Sequence, residues 1–307
     1  MIVQSIRWTV GLFLVLLLAT GCGKPADPPS APTSRRETLR VGLIPEQDIF
    51  KQLERYEPLA AHLSDQLEVD IELTILPCYG NIIDNFTDVG LDGAFFGSFT
   101  YALAQARLGV SVLARPVNPD GQSTYHGLIF VRRDGGIRHV EDMQGKRFVF
   151  VDKATTAGYL LPLDYFHEHG IDDFRSFLGE YYFAGTHESA YYDVLNRRAD
   201  IGAAKNTVYK RLAASDPRLQ TELVPLARSP EVPENALALS REIDASLRDR
   251  VKQLLLSMDA DPEGRSVLAR FGALRFIETT DADYEPVFRY AREVGLDLAT
   301  YDYRNDQ

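Results

Sequence analysis

"KRFVFVDKATTAGYLLPLDYF", residues 146–166, decides the reading of the fold. The β-branched and aromatic run "KRFVFV" reads as a strand, and the helix that follows begins near Thr156. Between them lie small residues, Thr155-Thr156-Ala157-Gly158. Hydroxyl residues at such a junction cap the helix, and they leave backbone N–H groups pointing beyond the strand end. That arrangement suits an anion, although capping alone would also account for it. Glycine count and spacing do not match a P-loop, and no "GK[ST]" is present.

The same strand-to-helix grammar extends in both directions. Upstream, "LRVGLI", a helical run with apolar Phe50, Leu53, Leu59, Leu63 and Leu67, and "VDIELTIL" open the body, with Pro58 expected to start the second part of that helical region. "DGAFFG", "SFTYALAQARLG", "VSVLARPV" and "YHGLIFVRR" continue it. Downstream come "EYYFAG", "ESAYYDVLNRR", "ADIGAA" and "ELVPLARS". The proline-punctuated crossover and strand "SPEVPENALALS" follow, and then only helix-like segments, 243–257, 261–271 and 282–294, are expected. Two α/β sets joined by two crossovers predict two lobes with a cleft between them, at the carboxyl ends of strands. Four junctions should face it: Tyr79–Asn81, Gly97–Thr100 with Ser98, Thr155–Gly158 and Thr186–Ser189.

The 307 residues are 45% hydrophobic and 25% charged, enough for an ordinary core. A net charge of −11 argues against nucleic acid as a partner and gives no general pull on anions, so an anion site must be built locally. After Arg7, "TVGLFLVLLLAT" is an apolar run of 12 residues, short for a membrane span, and reads as an export signal. "LATGC" then leads into Cys22 and resembles a lipobox, which would place a lipid on Cys22. The Pro/Ser-rich stretch "GKPADPPSAPTSRRE" reads as a tether. The expected division is a signal peptide at 1–21, a tether at 22–38, a first lobe of 39–124 plus 235–307, and a second lobe of 125–234. With Cys22 acylated, Cys78 has no disulfide partner.

A helix start carries about half an elementary charge, so two or three converging starts could hold a tetrahedral oxyanion without an arginine. His187 could donate to it or merely cap a helix; Tyr79 and Tyr125 could donate or merely pack. Lys205 is either a pocket cation or a solvated side chain. His167 and His169 point to different helix faces and should not bind metal. A Cys78–His187 nucleophile has no local signature, so no enzyme, cofactor or metal is expected.

Over roughly residues 39–298, "GLIPEQDIFKQLERYEPLAAHLSDQL", "CYGNIIDNF", "TTAGYLLP", "AGTHES" and "ADIGAAKNT" together resemble the periplasmic substrate-binding proteins of phosphonate/phosphite/phosphate ABC importers. The resemblance implies an α/β, two-lobed type II periplasmic binding fold whose hinge crossovers let it close on its ligand. A Ser-Thr-Ser run of the family falls on Thr155, Thr156 and Ala157, so one hydroxyl is lost while backbone donors remain. The family's pocket tyrosines fall on Tyr79 and Tyr125, and its histidine on His187. Two carboxylates that grip an ammonium in aminoalkylphosphonate binders fall on Thr207 and Asn235, so both negative charges are absent at those positions. The implied ligand is a small phosphorus oxyanion without a cationic tail, carried by a lipid-anchored monomer to an ABC permease. Delivery to a membrane histidine kinase is the alternative output. Arsenite held by Cys78 is a minor alternative ligand.

Overall fold

The computed structural model describes residues 36–305, so the export signal, Cys22 and most of the tether lie outside the described residues. Two mixed sheets organise the body. The first runs in the order Arg275–Glu278, Val110–Val117, Ala236–Ser240, Gly93–Phe96, Thr38–Leu43, Asp70–Ile75. Its last three strands are mutually parallel, with Leu39 beside Ile71 and Val41 beside Gly93. The second runs Leu223–Arg228, Gly127–Arg132, Ile201–Lys205, Arg147–Phe150, Glu180–Phe183. The chain leaves the first sheet after Val117 and returns at Ala236, and the two crossings pair as a short antiparallel ribbon, with Val232 opposite Tyr125 and Pro233 opposite Thr124.

Local chemistry explains the elements that carry the site. Asp48 caps the helix Ile49–Leu67 by accepting from the Phe50 and Lys51 amides, and Glu68 ends it in a left-handed conformation at φ 59°. Tyr56, Leu59, Leu63 and Leu67 form its buried stripe. This helix is continuous through Pro58, which was expected to start a separate segment. The helical bond lost to the missing N–H falls beside exposed Glu54 and Glu57, on the solvent side of the helix.

A second difference lies near the chain's end, where only helices were expected. Arg275–Glu278 forms an edge strand antiparallel to Val110–Val117, with Phe276 beside Pro116 and buried. Four residues flanked by charges are too short to show a strand period. The helices Asn206–Ser215 and Arg218–Glu222, between "ADIGAA" and "ELVPLARS", were not anticipated.

Each sheet has its own core. Phe95, Leu237, Leu255, Phe271 and Phe276 pack on the first, and Phe148, Phe150, Phe166 and Phe174 on the second. A third apolar cluster runs between them through Phe99, Tyr125, Ala157 and Tyr191. The last residues touch elements of both sheets: Arg107 Nε donates to the Leu298 carbonyl at 2.9 Å, and the Tyr301 hydroxyl donates to the Lys153 carbonyl at 3.0 Å.

Candidate functional site

The four strand-to-helix junctions meet in pairs across the two sheets. The Phe99 amide donates to the Thr156 hydroxyl oxygen at 2.8 Å, and the Thr100 hydroxyl donates to the Ala154 carbonyl at 2.9 Å. Ser98 donates to the Pro233 carbonyl of the crossover ribbon at 2.5 Å. Tyr79 and His187 meet edge to face, with ring centroids 5.8 Å apart.

The turn that follows "KRFVFV" is tight for a physical reason. Residues Thr156–Leu160 form a π-helical turn that leads directly into the helix Leu161–Glu168. The Val151 amide donates to the Gly158 carbonyl, and a Cβ on Gly158 would lie 2.4 Å from that of Val151. Only glycine fits so close an approach. The Thr155 hydroxyl donates back to the Asp152 carbonyl at 2.6 Å and does not cap the helical turn that follows, contrary to the expectation of a hydroxyl cap. Thr156 instead reaches the opposing helix start, and Ala157 is buried in the apolar cluster between the sheets.

Burial sets the protonation states. His187 is 4% exposed, and desolvation lowers its pKa to about 3 against an opposing pull from Glu46, so the imidazole is neutral at physiological pH. The Lys205 backbone amide donates to His187 Nδ1 at 3.3 Å. That bond fixes the tautomer: Nε2 carries the proton and is a donor. Burial, with Glu46 and Asp152 adding to it, pushes Tyr79 well above its ordinary value, so its phenol keeps its proton. Burial also raises Tyr125, whose hydroxyl shares hydrogen bonds with those of Ser98 and Thr156.

Two hydroxyls among the candidate residues lack partners. The Tyr79 and Thr207 hydroxyls are buried and make no hydrogen bond within the protein. An orphaned buried hydroxyl costs about 1–3 kcal/mol, so such atoms mark positions where something else completes the bond.

Beside them lies a charged node that the sequence reading did not foresee. Lys205 is 2% exposed, which excludes a solvated side chain. Its Nζ donates to Glu46 Oε1 at 3.0 Å, to Asn235 Oδ1 at 2.9 Å and to Glu234 Oε1, and it lies 4.3 Å from the centroid of the Tyr125 ring. Desolvation alone would lower its pKa; Glu234 and Glu46 outweigh that and raise it, so the ammonium stays charged. Burial would likewise raise Glu46, but Lys205, then Arg211 and Arg55, hold it far below the ordinary carboxylate range. Arg211 Nη2 is 3.6 Å and Arg55 Nη1 4.0 Å from Glu46 Oε2.

This node corrects the expectation of a site without negative charge. Thr207 and Asn235 are indeed neutral, yet Glu46 and Glu234, 4% and 5% exposed, bring two carboxylates to the same place. Glu46 follows the first strand directly and Glu234 sits on the crossover. Both are strand-end positions like the four junctions that were singled out, so "IPEQD" and "VPEN" carried the signal.

The remaining candidates stand apart. Cys78 is half-buried, and burial raises its thiol pKa, which keeps it protonated. His167 Nδ1 pairs with Asp172 at 2.9 Å and His169 Nδ1 meets the Tyr165 carbonyl at 2.7 Å, each at the surface. Among the described residues, no group of three or more His, Cys, Asp or Glu side chains could hold a metal ion, and no helix is long and apolar enough to cross a membrane.

Comparison with known proteins places this geometry among relatives. Residues 41–284 match the family model described as "ABC transporter, phosphonate, periplasmic substrate-binding protein". The "Phosphonates-binding periplasmic protein" of Escherichia coli (strain K12) is 24% identical over 270 residues, covering 86% of this chain and 78% of that one. The "Phosphate-import protein PhnD" of Mycolicibacterium smegmatis is 26% identical over 298 residues, covering 89% of this chain and 91% of the relative. Among solved structures, PhnD1 from Prochlorococcus marinus (MIT 9301) in complex with methylphosphonate superposes with a TM-score of 0.75 at 20% identity, covering 84% of this chain and 98% of the other. The fold is therefore the two-lobed, type II periplasmic binding fold.

Proposed function

Because the chain belongs to the periplasmic substrate-binding proteins of phosphonate ABC transporters, we propose that it captures a small phosphorus oxyanion without an amine, such as phosphate, phosphite or methylphosphonate, and delivers it to its permease. Members of this family are substrate-binding components and not enzymes, and they act in the periplasm with a membrane permease. The observation that carries the ligand class is the pair of orphaned hydroxyls, Tyr79 and Thr207, next to the neutral Nε2–H donor of His187. The two orphaned hydroxyls offer an oxyanion hydrogen bonds that the protein leaves unmade, while Lys205, whose donors are all used, supplies only positive charge. Relatives named for phosphate and for methylphosphonate support the same chemistry.

In this reading residues 39–124 with 235–307 and residues 125–234 are the two lobes, and the ribbon Thr124–Tyr125/Val232–Pro233 is the hinge about which they close. Thr156, with Ser98 and Tyr125, ties the lobes together and Ala157 contributes a backbone amide, whereas the Thr155 amide is already donated to the Asp152 carbonyl at 2.9 Å. A lipid on Cys22 would keep the monomer at the membrane, and incorporation of labelled fatty acid that is lost in Cys22→Ser checks that part.

Titration calorimetry of the mature protein with phosphate, phosphite, methylphosphonate and 2-aminoethylphosphonate tests the ligand class. Micromolar or tighter binding of one of the first three, with 2-aminoethylphosphonate much weaker, is expected. Preferential binding of 2-aminoethylphosphonate would overturn the reading.

A further inference from the structure

We infer that Lys205 is a built-in ammonium: its side chain fills a complete site for a primary amine inside the cleft, and this occupancy decides which ligands enter. A primary ammonium has three N–H donors. Here three acceptors converge on one such group, Glu46 Oε1, Glu234 Oε1 and Asn235 Oδ1, while the face of Tyr125 covers its flank. No donor of Lys205 is left over.

The acceptors are held from behind by groups other than Lys205. Asn118 Nδ2 donates to Glu234 Oε2 at 3.1 Å, and the Asn235 amide donates to Glu234 Oε1 at 3.1 Å. Asn235 Nδ2 donates to Glu46 Oε1 at 3.0 Å, and Arg55 and Arg211 flank Glu46 Oε2. The Glu46 amide is itself fixed by Gln52 Oε1 at 3.1 Å. Removing the lysine side chain therefore leaves two buried carboxylates and an amide oxygen in place around an empty volume of lysine size. Stranded carboxylates in a closed space draw in a cation of the right shape. The lysine thus plays the part that the ammonium of an amine-bearing ligand would play, and while it is there such an ammonium has no acceptor.

The position of this amine site within the ligand cleft rests on the oxyanion reading above; its existence does not. Thermal unfolding of the wild type and Lys205→Ala is compared in ethylammonium chloride and in potassium chloride at equal ionic strength. Saturable stabilisation of Lys205→Ala by ethylammonium alone is expected, with no such effect on the wild type. Equal stabilisation by both salts, or none by either in a variant whose circular dichroism is native, overturns the inference.

Calorimetry then compares methylphosphonate with 2-aminoethylphosphonate. Losing or gaining one charged hydrogen-bonding partner changes affinity by roughly 10- to 100-fold. Lys205→Ala should tighten 2-aminoethylphosphonate by that order, and should weaken methylphosphonate because two uncompensated carboxylates then face the anion. An unchanged ratio of the two overturns the inference, whereas failure of the wild type to bind any phosphorus oxyanion overturns the oxyanion reading and leaves the ethylammonium result standing. Should Lys205→Ala fail to fold, Lys205→Ala combined with Glu234→Gln conserves the local charge, keeps the vacated volume open and leaves Glu46 and Asn235 as acceptors for an ammonium. There the affinity ratio should still move by about 10-fold toward the amine, and the wild-type ratio would refute the proposal.

Discussion

Replacing Tyr79 by phenylalanine removes one oxygen and separates a binding role from a packing role. Tyr79 is 2% exposed and its ring packs edge to face on His187, while its hydroxyl has no partner in the protein. Phenylalanine keeps the ring contact. Removing an unsatisfied buried hydroxyl relieves a desolvation cost of about 1–3 kcal/mol, so the ligand-free protein should gain about 1 kcal/mol, or about 2–4 °C in Tm for a chain of this size. The same oxygen is expected to donate to an anionic ligand, a bond of about 1.5–3 kcal/mol, so the oxyanion should bind roughly 10- to 150-fold more weakly. Differential scanning calorimetry without ligand and titration calorimetry with methylphosphonate read the two halves. A lower Tm with unchanged affinity would refute the reasoning, because it would mean that the hydroxyl has a structural partner and does not meet the ligand.

Three further outcomes follow from the geometry. His187 has its folded pKa depressed from 6.5 to about 3 by burial, so the unfolded chain binds the extra proton between those values. Stability relative to a His187→Gln variant should fall by about 1.4 kcal/mol for each pH unit below 6.5 and be constant above it, read from urea midpoints of both proteins; parallel profiles would show a solvated histidine. Thr156→Val deletes the acceptor of the Phe99 amide across the lobes and should weaken oxyanion binding by roughly 10-fold through a smaller closed population, checked by calorimetry and by a larger radius of gyration in solution scattering. Gly158→Ala drives a methyl into Val151 and should cost about 1–3 kcal/mol of stability, measured by denaturant unfolding.

The sequence was most legible where one strand hands over to one helix. "KRFVFVDKATTAG" announced its strand, its small-residue turn and its helix, because β-branched runs and glycine turns act locally, although no hydroxyl caps the helical turn. Two lobes with a crossover between them were legible as well, from the order of elements. What stayed hidden is non-local. For Lys205 the sequence left a pocket cation and a solvated side chain both open, and only the folded chain shows it meeting Glu46, 159 residues away, and Glu234, 29 residues away. A charge reads as surface until its partners are known, and buried partners contributed by separate strand ends leave no periodic trace. The Arg275–Glu278 strand was missed for a related reason, since its identity comes from the edge it completes.

The two layers of the site divide the work of closing. Glu46, on the first lobe, receives Lys205 and Arg211 from the second, and Thr156 accepts from Phe99 in the opposite sense, so much of the polar interface is satisfied without any guest. Around this node, the Tyr79 and Thr207 hydroxyls and the guanidinium nitrogens Arg55 Nη1 and Arg211 Nη2 make no hydrogen bond within the protein. A ligand shifts the open–closed balance only by the affinity difference between the two states. With Lys205 already paired to Glu46 and Glu234, that difference comes, in the proposed reading, from these unfilled donors, which suit a compact oxyanion better than an amine-bearing analogue. On the proposed reading, closure and selectivity draw on the same lysine. A substitution at Lys205 should move both together, whereas Tyr79→Phe should weaken binding while leaving the preference for the amine-free ligand intact.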